Sequence, residues 1–221
     1  MGDTAIRNFC WVEPGKLARG EQPPLHTGAY ATLREMGITC VFSLREQGEQ
    51  ACVVVGRPYP AYSVEEEEAF CRAAGLSFYH SPCPDGQSPA PAELAAALER
   101  IEQEAERGGA VYLHCAAGIG RTGIVSAAWL MRRGASGDEA AAHFLTFMLD
   151  MMARTEALSG EKQDGFLRSQ ILCEQWWALV SIAEAYGTPL RADREEPIAL
   201  RPAYAEGWDQ DYPRLLTGAC G

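Results

Sequence analysis

The densest chemistry in this chain lies in ten residues, HCAAGIGRTG, His114 to Gly123. A thiol at Cys115 and a guanidinium at Arg121 are separated by Ala116, Ala117, Gly118, Ile119 and Gly120. A lone cysteine usually behaves as a small buried hydrophobe, and a cysteine with a later arginine arises often by chance. The spacing HCxxGxxR[ST] at the end of a strand and the start of a helix is far more restrictive. A loop curling from strand into helix turns successive backbone N–H groups inward and makes an anion nest. The helix N-terminus adds partial positive charge. Gly118 and Gly120 permit the backbone angles and the close approach that such a curl needs. Arg121 offers a fork of donors to two oxygens of one anion. A cysteine in such surroundings ionises at roughly 3.5–7.5 instead of near 8.5. Cys115 therefore reads as a thiolate nucleophile at the bottom of an electropositive bowl. His114 orients the loop through hydrogen bonds to backbone groups rather than serving as a base. Thr122 can donate its hydroxyl hydrogen to the thiolate and make it a better leaving group.

Phosphoryl transfer needs a proton donor for the departing oxygen. Asp85 is the candidate, in the loop CPDGQSPAP that follows an earlier strand and faces the same edge of the sheet. Gly86 and the flanking prolines suit a loop that closes as a unit. No paired carboxylates or His/Asp clusters call for a metal, and the mechanism needs no metal and no cofactor. Cys83, just before Asp85, reads as a packing thiol, with a redox link to Cys115 as the sharper alternative. His26, His80 and His143 have no metal-like spacing and are assigned to structure.

These residues must be held by regular elements. AYATLREMG reads as a helix ended by Gly37, and Cys40–Leu44 as a buried strand. Ser63 caps a helix whose four glutamates, Glu65 to Glu68, favour its first turn; they read as a solvated face. LSFYHSP is a second strand, AELAAALERIEQEAERGG an amphipathic helix with Leu94, Leu98 and Ile101 on one face, and AVYLHC a third strand. RTGIVSAAWLMRRG and DEAAAHFLTFMLDMM are helices, residues 153–165 a loop, and ILCEQWWALVSIAEAYG a packed helix. Trp176 and Trp177 read as core and rim packing rather than a ligand cage. Alternating strands and helices imply an α/β sandwich with a largely parallel sheet. In such sheets, ligands bind beyond the carboxyl ends of the strands, where Cys115 stands.

The bulk properties agree. The chain has 221 residues, 47% hydrophobic and 22% charged, with a net charge of −11. That suits one soluble domain. The negative charge disfavours nucleic acid and anionic membrane partners. No apolar run is long enough to cross a bilayer, and MGDTAIRNFCWVEPG has no signal-peptide pattern. A cytoplasmic protein is the simplest expectation. The eight cysteines contain no CxxC pair, which suits reduced thiols better than a disulfide framework.

The signature and the acid loop together resemble the cysteine-dependent protein tyrosine phosphatases. NFCWVEPGKLARGEQPP and MGITCVFSLRE resemble the small atypical dual-specificity phosphatases of the VHZ kind, from about Asn8 to about Phe144, with a weaker continuation at CEQWWALVSI. The resemblance implies a three-layer α/β fold, a short mostly parallel central sheet flanked by helices, and a cysteinyl-phosphate intermediate. By motif match Cys115 is the nucleophile, Arg121 holds the phosphate and Asp85 is acid then base. The backbone of Ala116 to Gly120 completes the cradle. It implies a domain over residues 1–187, with an insertion at 154–165 and an unmatched extension at 188–221. The expected arginine-proline-glycine segment near Leu167 to Gln170 is absent, so the residue that positions the hydrolytic water stays open between Gln170 and Gln175. The tail reads as a strap over the domain surface, with partner docking as the alternative.

Ala116, Ala117 and Ile119 leave the cradle neutral, which favours a singly phosphorylated, protein-like substrate. Phosphotyrosine in proteins is the first expectation, with phosphoserine and phosphothreonine as extensions. Small phosphorylated metabolites or inositol phosphates are the alternative, and a non-catalytic phosphate-binding module is the rival of a different class. Oligomeric state is not legible.

Overall fold

The computed structural model describes residues 6, 9–54, 57–146 and 170–190. Its centre is a five-stranded sheet in the order β1-β2-β7-β3-β6. The strands are β1 (Cys10–Glu13), β2 (Leu17–Gly20), β3 (Cys40–Ser43), β6 (Ser77–His80) and β7 (Val111–His114). β1 runs antiparallel to β2, and the other pairings are parallel. The mostly parallel α/β sandwich implied above is the observed fold. A separate hairpin pairs β4 (Cys52–Val54) with β5 (Arg57–Tyr59).

Helices α1 (Thr27–Glu35) and α2 (Val64–Ala73) cover one face of the sheet. The other face carries α3 (Pro91–Glu106) and α4 (Gly120–Arg132). Outside α4 pack α5, helical over 137–146, and α6 (Gln170–Ala185). The layers follow from strand periodicity. Leu17, Phe42, Val111 and Leu113 pack with Leu94, Leu98 and Ile101 of α3 and Trp129 of α4. Their neighbours Ala18, Val41 and Tyr112 point the other way, to Tyr30 and Leu33 of α1 and Cys71 of α2. Strands buried on both faces read as short continuous apolar runs, which is why β3 and β7 are visible in the sequence.

β1, β2 and the β4–β5 hairpin are not. β2 is LARG, four fully buried residues that include a charged one, and it carries no period-2 or apolar signal. Ser63 does cap α2, its hydroxyl accepting from the Glu66 N–H at 3.3 Å. The solvated-glutamate expectation fails at one position: Glu65, Glu66 and Glu68 are exposed, but Glu67 is buried. Residue 67 lies on the helix face that packs on the sheet, and periodicity overrides the charge run. Trp176 is buried and Trp177 exposed at the rim, the expected division. Cys40, Cys52, Cys71, Cys83 and Cys115 are free thiols, whereas Cys10 is disulfide-bonded. The reduced-thiol expectation therefore fails at Cys10; cysteine spacing does not reveal a pairing made through the fold. The expected loop at 153–165, the insertion at 154–165 and the extension beyond residue 190 lie outside the described residues. Among the described residues, no helix is long and apolar enough to cross a membrane.

Candidate active site

β7 ends at His114, and α4 begins at Gly120 with Ile119 at its N-cap. Between them the chain curls, with its carbonyls tied down on the protein side. The Ala116 oxygen accepts from the Gln22 N–H at 2.8 Å, and the His114 oxygen from the Leu44 N–H at 2.9 Å. The buried Arg19 guanidinium donates to the Gly118 oxygen at 2.5 Å and to the Ile119 oxygen at 3.2 Å. In a trans peptide the C=O and the next N–H point in opposite directions. Carbonyls held outward therefore leave the N–H groups of Ala117, Ile119 and Gly120 facing the other way, as a nest requires. Gly118 sits at φ +70°, and a Cβ there would lie 2.1 Å from the Gly20 carbonyl oxygen. Only glycine fits this crossing. Gly118→Ala is expected to destabilise the fold by at least about 2 kcal/mol, combining left-handed backbone strain with the clash. Thermal unfolding measures this, and an unchanged midpoint would contradict it.

Arg121 is 1% exposed and lies at the start of α4. Its Nη1 donates to Glu49 Oε2 at 2.6 Å and to the Cys83 carbonyl at 3.0 Å. Its Nη2 reaches Glu49 Oε1 at 3.1 Å and Asp85 Oδ1 at 3.0 Å. Arg121 Nε and Thr122 Oγ1 are buried without a hydrogen-bond partner among the described residues. Burial opposes the Arg121 charge, but Cys115, Glu49 and Asp85 outweigh it and hold its proton more tightly than usual. The structure thus brings together Cys115, the curl from Ala116 to Gly120, Arg121 and Asp85. Asp85 itself is largely exposed, at the tip of the loop after β6.

Comparison with known proteins follows this geometry. Residues 20–135 match the family model described as "Polymorphic toxin system, DSP-PTPase phosphatase". That match spans more than half of the chain and includes the whole curl. The chain belongs to that family. Solved structures share the fold. Tk-PTP in its active form is 24% identical, covering 80% of this chain and 96% of its own, with a TM-score of 0.52. The putative phosphatase (DUF442) from Shewanella putrefaciens CN-32 is 14% identical over 83% of this chain and 93% of its own, at 0.55. A variant of P. aeruginosa TpbA in complex with pTyr is 21% identical over 79% of this chain and 93% of its own, at 0.50.

Several residues that shape the phosphatase site carry no local sequence signal. Arg19 anchors the curl from β2; burial lowers its proton affinity, to a pKa of about 9. Glu49 lies in the loop after β3 and grips Arg121 with both oxygens. It also accepts from Arg45 Nε at 2.9 Å. Burial pushes its carboxyl up, but Arg121 and Arg45 outweigh that and hold it below the usual range.

Gln175 of α6 is buried, and a Cβ on Gly120 would lie 2.5 Å from its amide. Its Nε2 donates to the Gln87 carbonyl at 3.3 Å, tying α6 to the Asp85 loop. Of the two glutamines considered, Gln175 is the one placed against the curl; the Gln170 side chain lies outside the described residues. Cys83 is buried, and burial pushes its thiol up to about 12, in keeping with a packing thiol. His26 caps α1, its Nδ1 accepting from the Ala29 N–H at 3.3 Å. His143 is buried on α5, its proton affinity lowered by burial and by Arg19 to a pKa of about 3.

Proposed function

We propose that this phosphatase hydrolyses phosphotyrosine monoesters in proteins through a cysteinyl-phosphate intermediate. Cys115 Sγ attacks phosphorus while Asp85 gives a proton to the departing tyrosyl oxygen. The N–H groups of the curl and Arg121 hold the equatorial oxygens as charge develops. Thr122 then donates to the departing thiolate as water attacks, with Asp85 taking the proton and Gln175 orienting the water. The observation that carries the reading is the pair of buried donors without partners among the described residues, Arg121 Nε and Thr122 Oγ1, in the first turn of α4 directly after the curl. Buried polar groups are mostly hydrogen-bonded, so two unpaired donors side by side at the start of the helix that follows the curl call for a partner. A phosphoryl group satisfies the first, and a thiolate the second.

Two features favour a single phosphate on a protein. The curl's side chains are uncharged, and the two outer Arg121 nitrogens already face Glu49 and Asp85. A polyphosphorylated ring would meet these carboxylates around its second phosphate. That a variant of P. aeruginosa TpbA, a fold relative, was solved in complex with pTyr supports this choice. Steady-state rates on a phosphotyrosyl peptide, a phosphothreonyl peptide and an inositol polyphosphate, each with and without EDTA, test it. The expected order is phosphotyrosyl first, with kcat/KM at least about tenfold above the inositol phosphate and no EDTA effect. Faster turnover of the inositol phosphate would replace the substrate class, loss of activity in EDTA would overturn the metal-free route, and inertness on every phosphomonoester would leave a binding module.

A further inference from the structure

Glu67 has no part in the steps above, yet it is fully buried on α2. A buried carboxylate is unfavourable unless it is paired and hydrogen-bonded. Its Oε1 accepts from the Tyr30 hydroxyl at 2.9 Å. His114 Nε2 stands 3.1 Å from the same oxygen. The second ring nitrogen, Nδ1, stands 3.1 Å from the carbonyl oxygen of Cys115. A carboxylate oxygen and a peptide carbonyl oxygen can only accept, and a neutral imidazole carries one N–H. Nε2 lies within ion-pair distance of the carboxylate without the alignment of a hydrogen bond, so the contact is electrostatic, and a buried carboxylate this close favours the ring that carries both protons.

We propose that Glu67 holds His114 as an imidazolium, and so acts as a positioning residue that fixes a positive charge directly behind the Cys115 nucleophile. The surroundings leave the charge to this pair. Tyr112 of β7 stacks on the His114 ring at 5.9 Å between centroids. Tyr30 of α1, Tyr62 of the loop before α2, and Cys71 of α2 face the carboxylate. Burial pushes all four of these groups up, so they stay neutral at ordinary pH. Farther out, the Arg45 guanidinium lies 5.1 Å above the Tyr62 ring, and the His80 ring 6.1 Å from it. For Glu67 itself, burial raises the carboxyl, but His114 and the two phenols outweigh it and hold it below the usual range. A cation beside a cysteine favours its thiolate, and here the cation is tied to the residue preceding the nucleophile.

The inference rests on Cys115 being the nucleophile proposed above, and its test does not depend on turnover. Alkylation of Cys115 by iodoacetamide is followed across pH by mass spectrometry of the Cys115 peptide. In Glu67→Gln the ring loses its anionic partner and its second proton, so the thiolate forms at higher pH. The alkylation midpoint is expected to rise by about one pH unit, so the rate well below the wild-type midpoint falls about tenfold while the rate well above both midpoints is unchanged. The acid limb of kcat/KM should move the same way. Glu67→Gln in a His114→Asn background should add no further shift. A folded Glu67→Gln protein with an unmoved alkylation profile overturns the proposal, and so does an added shift in the double variant. If Glu67→Gln does not fold, 15N spectra of the wild-type His114 ring decide. Two protonated ring nitrogens at pH 7 are expected, and a single N–H overturns the proposal. A moved alkylation profile with no hydrolysis of any phosphomonoester would sink the proposed function and leave this inference standing.

Discussion

Cys115→Ser is expected to lower kcat on a phosphotyrosyl peptide by about 10⁴-fold or more, while the peptide still binds. The serine hydroxyl is not ionised at neutral pH, so the curl's N–H groups have no anionic nucleophile to stabilise. The rest of the bowl is untouched. Arg19 still ties down the Gly118 and Ile119 carbonyls, and Arg121 keeps its grip on Glu49. The curl's N–H groups and Arg121 Nε therefore remain available to a phosphate. Removing a residue on which every later step depends costs as much as removing the whole catalytic unit. The peptide Kd of the variant should lie within about tenfold of the wild-type inhibition constant for the same peptide carrying a non-hydrolysable phosphonate. Turnover by the variant within tenfold of wild type would return Cys115 to the status of a packing thiol, which its burial alone would also allow.

How far the sequence speaks for the site depends on whether the signal is local. β3, β7, α3 and α4 are legible because apolar runs and helical periodicity lie within short windows. The curl is legible because glycine, cysteine and arginine hold fixed offsets along one turn of chain. Asp85 is legible as a carboxylate in a proline-glycine loop, and the structure brings it within 3.0 Å of Arg121. Arg19, Glu49 and Glu67 are different. Each acts at long range: Arg19 on the curl 99 residues away, Glu49 on Arg121 72 residues away. Their sequence neighbourhoods are ordinary, a short strand, a polar turn and a glutamate run. What sets them apart is burial, and burial of a single charged residue is decided by tertiary packing. Glu67 shows it best, since one position in four consecutive glutamates is turned to the sheet by helix geometry and meets His114 there.

Arg121→Lys is expected to lower kcat/KM by about 10³-fold, close to 4 kcal/mol of transition-state stabilisation. The two side chains carry the same charge, so the loss isolates geometry. The guanidinium serves several partners at once: Glu49 through two nitrogens, the Cys83 carbonyl through Nη1, Asp85 through Nη2. Its Nε remains for the transferring phosphoryl group. A lysine ammonium is a single point with three donors and cannot span these partners from one position. If it pairs with Glu49, it withdraws from the phosphate. If it turns to the phosphate, Glu49 keeps Arg45 and the Glu46 N–H but loses its clamp on the helix, and the Cys83 carbonyl loses its donor on the strand side of the Asp85 loop. Either choice weakens the interaction where charge builds on the equatorial oxygens, so kcat should fall more than KM rises. The alkylation rate of Cys115 at pH 8 should change little, because a unit positive charge stays nearby. A loss below tenfold in kcat/KM would mean that Arg121 is chiefly a structural cation clamped between Glu49 and the Asp85 loop, with the backbone N–H groups carrying the phosphate alone.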